Sequence, residues 1–124
     1  MYEITVNDEF CAAHAIIIRG ERERLHGHNW RVSVTIGGAG LDGDGLLLDF
    51  HALERIVREV IAPFRDQNLN ETPPFDRMNP TAEQVARHIA DSVDRGIRPL
   101  VPAGVRVAAV RVTEAPGCSV VYRP

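Results

Sequence analysis

His26-Gly27-His28-Asn29-Trp30-Arg31-Val32-Ser33-Val34-Thr35-Ile36 alternates strictly between two kinds of side chain. His26, His28, Trp30, Val32, Val34 and Ile36 share one parity, while Asn29, Arg31, Ser33 and Thr35 share the other. A strand sends successive side chains to opposite faces, so this stretch predicts a β-strand with one buried face and one polar face. The same geometry makes the two imidazoles of His26 and His28 project together.

The preceding stretch carries the same parity. Ile4, Val6, Phe10, Ala12 and His14 fall on even positions between Tyr2 and Ile18, which predicts a long first strand with Asn7-Asp8 as a bulge or bend. A polar stretch from Arg19 to Arg24 separates the two strands, and antiparallel pairing would bring His14 towards His26 and His28. Three neutral imidazoles suit Zn²⁺, and three protein ligands leave a fourth position for water or substrate, the pattern of a catalytic site. The competing reading is histidines at a strand end that satisfy loop carbonyls.

Downstream, the glycine- and aspartate-rich segment Gly37 to Gly45 predicts a loop, and Leu46 to Leu48 extends the sheet or leads into a helix. Asp49 is placed to cap a helix whose apolar stripe is Phe50, Leu53, Ile56, Val57, Val60, Ile61 and Phe64, with Pro63 near its end. A proline-bearing loop over Asn68 to Asn79 precedes a second helix, with Thr81 and Gln84 as a capping box, Val85, Ile89 and Val93 facing inward and Gly96 at the end. Val105 to Glu114 and Ser119 to Tyr122 predict a terminal hairpin around Ala115-Pro116-Gly117. The expectation is an α+β fold in which two helices cover one face of an antiparallel sheet, within a single domain of residues 1–124.

Composition narrows the function classes. A chain of 124 residues with 44% hydrophobic and 25% charged residues matches a globular domain. Its 14 basic residues are scattered among 17 acidic ones, so no basic stripe for nucleic acid exists. No apolar run is long enough to span a bilayer, and Met1 to Glu9 lacks the basic-then-apolar character of a signal, so a cytoplasmic location with no membrane partner is expected. In that setting Cys11 and Cys118 are two free thiols in or near strands.

Six spaced motifs resemble one family. Phe-Cys-Ala-Ala-His (10 to 14), Leu-His-Gly-His-Asn-Trp (25 to 30), Leu-Asp-Phe-His-Ala-Leu (48 to 53), Asn-Leu-Asn (68 to 70), Asn-Pro-Thr-Ala-Glu (79 to 83) and Val-Thr-Glu (112 to 114) occur in order along nearly the whole chain. Together they look like the 6-pyruvoyltetrahydropterin synthase family, which includes the bacterial 6-carboxytetrahydropterin synthases. The resemblance implies a T-fold whose subunits join sheets into a barrel, commonly a hexamer of two stacked trimers. It also implies zinc on His14, His26 and His28, and 7,8-dihydroneopterin triphosphate as the usual substrate. Glu114 matches the carboxylate that anchors the pterin ring, a task suited to two oxygens that accept adjacent N–H donors in parallel. Thr81 and Glu83 are read either as lining the pterin pocket or as helix cap and first-turn charge.

The chain departs from the family at its acid-base positions. The family cysteine lies four residues before the first histidine of His-Gly-His, and Arg22 stands there, a side chain that stays protonated. Alignment on Asn68-Leu69-Asn70 puts Arg65 and Asp66 where the family has its Asp-His pair. One branch of the family uses a glutamate just after the cysteine position, which makes Glu23 the leading candidate base, with Asp66 as a second carboxylate. Arg22 and Arg65 are candidates to hold phosphate or carboxylate groups of a ligand. Two function readings follow: a zinc-dependent pterin-transforming enzyme with altered acid-base residues, or a non-catalytic pterin-binding T-fold protein serving as carrier or sensor.

Overall fold

The computed structural model describes residues 1–124. Two long strands, β1 (Tyr2–His14) and β4 (His26–Gly38), pair antiparallel along their whole length, from Tyr2 opposite Gly38 to His14 opposite His26. This ladder is continuous, so the bulge expected at Asn7-Asp8 is absent. The first strand also stops at His14 instead of reaching Ile18. Ile17–Ile18 (β2) and Glu21–Arg22 (β3) fold into a separate two-stranded hairpin whose tip, Arg19 and Gly20, has φ of 52° and 82°. Two successive positive φ values define the tight turn whose twist matches paired strands.

Two helices follow. α1 (Phe50–Ile61) begins where the Asp49 carboxylate accepts the His51 N–H at 3.0 Å, and α2 (Ala82–Ile97) where the Thr81 hydroxyl accepts the Gln84 N–H at 3.2 Å. Both caps satisfy donors that a first helical turn leaves free. Pro63 falls in a short 3-10 turn, Ala62–Phe64, that closes α1. α2 continues one residue past Gly96, because this glycine is a contact rather than a stop: a Cβ there would stand 2.8 Å from Ile56 Cγ2. Phe50, expected on the buried stripe, is half exposed, since it opens α1 ahead of the turn that faces the sheet.

Between the helices, Gln67–Asn68 (β5) pairs parallel with Ala12 and Ala13 of β1. The terminal strands β6 (Arg106–Ala115) and β7 (Cys118–Tyr122) form a hairpin, with β6 antiparallel to β4. The sheet order is β5-β1-β4-β6-β7. It is therefore mixed rather than wholly antiparallel, because the loop after α1 runs alongside β1 in the same direction. α1 packs on β1 and α2, and α2 on β6 and β7, so both helices cover one face.

That face holds the core, a single cluster of 27 buried residues including Phe10, Trp30, Val34, Leu53, Ile89 and Val112. Phe10 and Trp30 stack with ring planes 3° apart, and Trp30 Nε1 donates to the Ala12 carbonyl at 3.1 Å. The opposite face is polar, with Thr5 hydrogen-bonded to Thr35, Asn7 to Ser33 and Cys11 to Asn29. Cys11 and Cys118 are unpaired and exposed. No helix is long and apolar enough to cross a membrane.

Asp94 of α2 fastens the helix layer to the sheet. Its carboxylate accepts the Val107 N–H at 3.1 Å and lies 3.2 Å from the Arg106 guanidinium and 3.7 Å from that of Arg98. Burial pulls its pKa upward, but the Val107 hydrogen bond and the two guanidiniums outweigh it and hold the carboxyl below its ordinary 3.8. A depressed folded-state pKa means stability that is present above the unfolded value and lost as pH falls through the folded one. Asp94→Ala is therefore expected to cost roughly 1–3 kcal/mol at neutral pH by leaving the Val107 donor unpaired. In urea titrations the gap from the parent should narrow steadily below about pH 4.

Candidate metal centre

The register of β1 and β4 assembles most of the site. His14 lies opposite His26, and Ala12 opposite His28, so three imidazoles emerge at one end of the buried face beside Trp30. Their ring centroids are 4.8, 5.1 and 4.6 Å apart for the pairs 14–26, 14–28 and 26–28. His14 is fully buried and His28 partly so.

Two of the rings are oriented by main-chain carbonyls. His14 Nδ1 donates to Pro80 O and His26 Nδ1 to Arg24 O, each at 2.8 Å. Carbonyls only accept, so the proton of each neutral ring sits on Nδ1 and Nε2 presents a bare lone pair. Burial is the largest influence on His28 and lowers its pKa below 6.5; Glu114 pulls the other way, and the nearness of His14 and His26 adds to the lowering. His28 is thus held as the neutral imidazole that a metal requires.

A fourth group joins them. Glu114 Oε1 stands 2.8 Å from His14 Nε2 and 3.5 Å from His28 Nε2. Short as the first distance is, neither His14 Nε2 nor His28 Nε2 has a hydrogen-bond partner. The four ligand atoms of His14, His26, His28 and Glu114 lie within 4.8 Å of one another. Nitrogen and oxygen donors gathered around one point, two of them buried without a hydrogen-bond partner, are what a shared cation satisfies, so this donor set fits a divalent metal.

The sheet and two asparagines hold this arrangement. Asn70 Oδ1 accepts from Ala15 N and its Nδ2 donates to Ala15 O, both at 2.8 Å, and Asn79 brackets Ile17 in the same way at 2.8 and 2.9 Å. These side chains substitute for a neighbouring strand just past His14 and set the Pro80 carbonyl against its ring. Asn68-Leu69-Asn70 and Asn79-Pro80-Thr81 stand out as motifs in the sequence, but their residue types do not reveal this task. Doubly bonded asparagines next to a strand end leave no periodic signal that would reveal it.

Other candidate residues fall in different places. Glu23 follows the small hairpin, its Oε1 accepting the Ile16 N–H at 3.1 Å and standing 3.7 Å from His26 Nε2. Thr81 and Glu83 line a cavity of about 330 Å³ together with Glu114. Asp66, with φ of 60°, lines a separate cavity of about 650 Å³ with Cys11, Asn29 and Gln67, which has only His28 in common with the histidine cluster. Arg22 is exposed at a third cavity, beside Asn70, Arg77 and Asn79. Arg65 is committed to β1, donating to Glu9 O at 3.2 Å and lying 3.9 Å from Asp8. Within one chain, therefore, Glu23 and Glu114 stand beside the histidines, Thr81 and Glu83 share a cavity with Glu114, Asp66 shares one with His28, and Arg22 and Arg65 line neither of these cavities.

A sheet with two helices on one face and a three-histidine, one-carboxylate cluster at one end of that face defines an α+β protein with a candidate metal site. The chain belongs to the 6-pyruvoyl tetrahydropterin synthase family, whose model matches residues 3–124. It is 34% identical to the 6-carboxy-5,6,7,8-tetrahydropterin synthase of Bacillus subtilis, covering 99% of this chain and 86% of that one. Among solved structures it is similar to the 6-pyruvoyl tetrahydropterin synthase of Caenorhabditis elegans, with a TM-score of 0.83 at 21% identity over 99% of this chain and 95% of that one. It also matches the Plasmodium vivax 6-pyruvoyltetrahydropterin synthase in a form with a catalytic glutamate replaced by alanine, with a TM-score of 0.82 at 22% identity and coverage of 99% and 97%. The fold is the T-fold of these proteins.

Proposed function

We propose that the chain is a zinc-dependent pterin-transforming enzyme of this family, acting on a dihydroneopterin triphosphate-like pterin with a rearranged acid-base set. The observation that carries this reading is the convergence of the ligand atoms of His14, His26, His28 and Glu114 within 4.8 Å, with His14 Nε2 and His28 Nε2 buried and without hydrogen-bond partners. His14, His26 and His28 hold the metal, which when bound supplies Lewis-acid polarisation of an oxygen on the ligand. Glu114, between the histidines and the cavity shared with Thr81 and Glu83, accepts the adjacent N–H donors of the pterin edge.

Glu23 is the proton acceptor. It is the carboxylate nearest the histidines apart from Glu114, and the main-chain N–H of Ile16 orients it while leaving one oxygen free. A glutamate is a catalytic residue of the Plasmodium vivax relative, which supports a carboxylate in this task. Asp66 would serve as a second acid-base group only if a neighbouring subunit brought its cavity to a site. The chain then works as one domain of a cytoplasmic homo-oligomer, a hexamer built from barrels of joined sheets. Exposed Ile17, Ile18 and Leu25 around the hairpin and the open edge of β7 support such an assembly.

The test is turnover of 7,8-dihydroneopterin triphosphate by zinc-loaded protein, with product analysis for carbon–oxygen or carbon–carbon lyase chemistry. Activity should vanish in His26→Ala and fall about 10²- to 10⁴-fold in Glu23→Gln, the usual range for loss of a general base. A second reading, a carrier or sensor that binds the pterin without converting it, is favoured by Arg22 and Arg65 standing at acid-base positions of the family, with Arg65 committed to the Glu9 carbonyl of β1. Pterin binding by calorimetry with turnover no higher than that of His26→Ala would establish it in place of the enzyme.

A further inference from the structure

We infer that Glu114 is a displaceable fourth metal ligand, which closes the coordination sphere in the resting protein and leaves it when the heterocycle of the ligand arrives. The inference rests on the zinc reading above and adds to it a gate built from one carboxylate.

Three observations carry it. Glu114 Oε1 joins the three imidazoles, 2.8 Å from His14 Nε2 and 3.5 Å from His28 Nε2, with all four ligand atoms within 4.8 Å of one another. With Nδ1 of His14 already donating to the Pro80 carbonyl, the shorter approach sets acceptor against acceptor, an arrangement that a shared cation resolves, and His28 Nε2 is buried beside it with no partner. A metal held there has four protein ligands, the closed form typical of structural sites.

The second observation is the contrast in how the ligands are tethered. The His14 and His26 rings are each pinned by a hydrogen bond from the far nitrogen, whereas no protein donor bonds the Glu114 carboxylate. Asp94 shows what a fixed carboxylate looks like in this fold, with a main-chain N–H and a guanidinium on it. An untethered carboxylate changes partners at little cost; a pinned imidazole does not.

Third, the backbone gives Glu114 two directions to face. Across β6 and β7, Thr113 pairs with Ser119 and Ala115 with Cys118, so Glu114 is the extra residue of a bulge, just before the turn whose Gly117 has φ of 82°. Bulges re-aim a side chain out of the regular ladder. The residue is partly exposed, with the histidines on one side and the cavity of Thr81, Glu83, Ser119 and Val120 on the other. Paired N–H donors presented from that cavity compete with the metal for the same two oxygens, and their binding opens the coordination position that the ligand oxygen then takes.

The test uses Co²⁺ as a spectroscopic substitute for zinc in the full-length chain, with Glu114→Gln and Glu114→Ala variants whose folding is verified by circular dichroism. Zinc affinity from chelator competition is expected to fall at least about tenfold in both variants, since even an outer partner of a metal ligand is worth that much. The Co²⁺ absorption bands should differ between wild type and both variants. In wild type they should shift on addition of 7,8-dihydroneopterin triphosphate. Cobalt binding that depends on His26 but gives the same spectrum and affinity without Glu114 overturns the inference and leaves the zinc reading intact. Pterin binding without a spectral shift, or no pterin binding, overturns the exchange. A wild-type chain that takes up no cobalt, or whose uptake survives His26→Ala, overturns both the metal reading and the inference.

Discussion

His26→Ala is expected to lower zinc affinity by roughly 100-fold or more while leaving the fold of the metal-free protein intact. Loss of an outer partner alone costs about 10- to 100-fold, and His26 offers a ligand atom directly. The separation of effects follows from exposure: the His26 side chain is 38% accessible, whereas that of His14 is 1% accessible and wedged against Trp30. Truncating His14 would open a buried gap and leave the Pro80 carbonyl without its donor, mixing metal loss with unfolding. Metal content of purified protein, read beside the urea midpoint of the apo form, checks the prediction. Stoichiometric zinc retained by His26→Ala would refute it.

Trp30→Ala should give the largest loss of stability of any single change in the sheet, about 3–5 kcal/mol. The ring is fully buried, stacks on Phe10 at a centroid distance of 5.9 Å, and closes the Ala12 carbonyl with its Nε1–H. It also stands edge-on to His14 at 4.9 Å and His28 at 5.6 Å, so the same substitution loosens two of the proposed ligands. Trp30→Phe retains most of the apolar volume and loses the hydrogen bond, for which about 1–2 kcal/mol is expected. Urea denaturation followed by far-ultraviolet circular dichroism distinguishes the two, and equal midpoints for Trp30→Ala and wild type would overturn the account of the core.

The two effects share an origin. The strand whose alternation carries His26 and His28 also carries Trp30, Val32, Val34 and Ile36, so metal site and core form successive stretches of one face. The hydrophobic side of the ladder fixes its register, since a slip of one residue would turn every one of these side chains outward. In this protein such a slip would also scatter the imidazoles. Site geometry is thereby tied to core packing, and Asp94, holding α2 against β6, belongs to the same coupling because α2 begins beside the Pro80 carbonyl that orients His14.

Much of this was legible from local pattern. The period-two alternation of residues 26–36 yields a strand with His26 and His28 on its buried side, and the caps at Asp49 and Thr81 start the helices where expected, because caps and alternation depend on residues a few positions apart. The convergence of His14 followed from antiparallel pairing of two strands of equal phase. What local pattern missed depends on partners far along the chain. β5 joins β1 in parallel through only two residues, too short for any periodicity, and the hairpin at residues 17–22 is hidden in a charged stretch.

Glu114 shows the difference most sharply. Its sequence context supports a charged residue at a strand end, and the family resemblance supports a pterin anchor, but neither places it on the histidines. The tertiary structure does so through register. Ile36 pairs with Val107 and Thr35 with Ala109, which leaves Ala108 as an extra residue in β6 and reverses the phase of everything after it. Val110 and Val112 therefore join Val107 on the buried face, and Glu114 follows them there. Alternation within a strand is a local property of the backbone and can be read from the residues themselves. The position of a bulge is settled by how two distant strands pack against one core, and only that packing brings the fourth ligand atom to the other three.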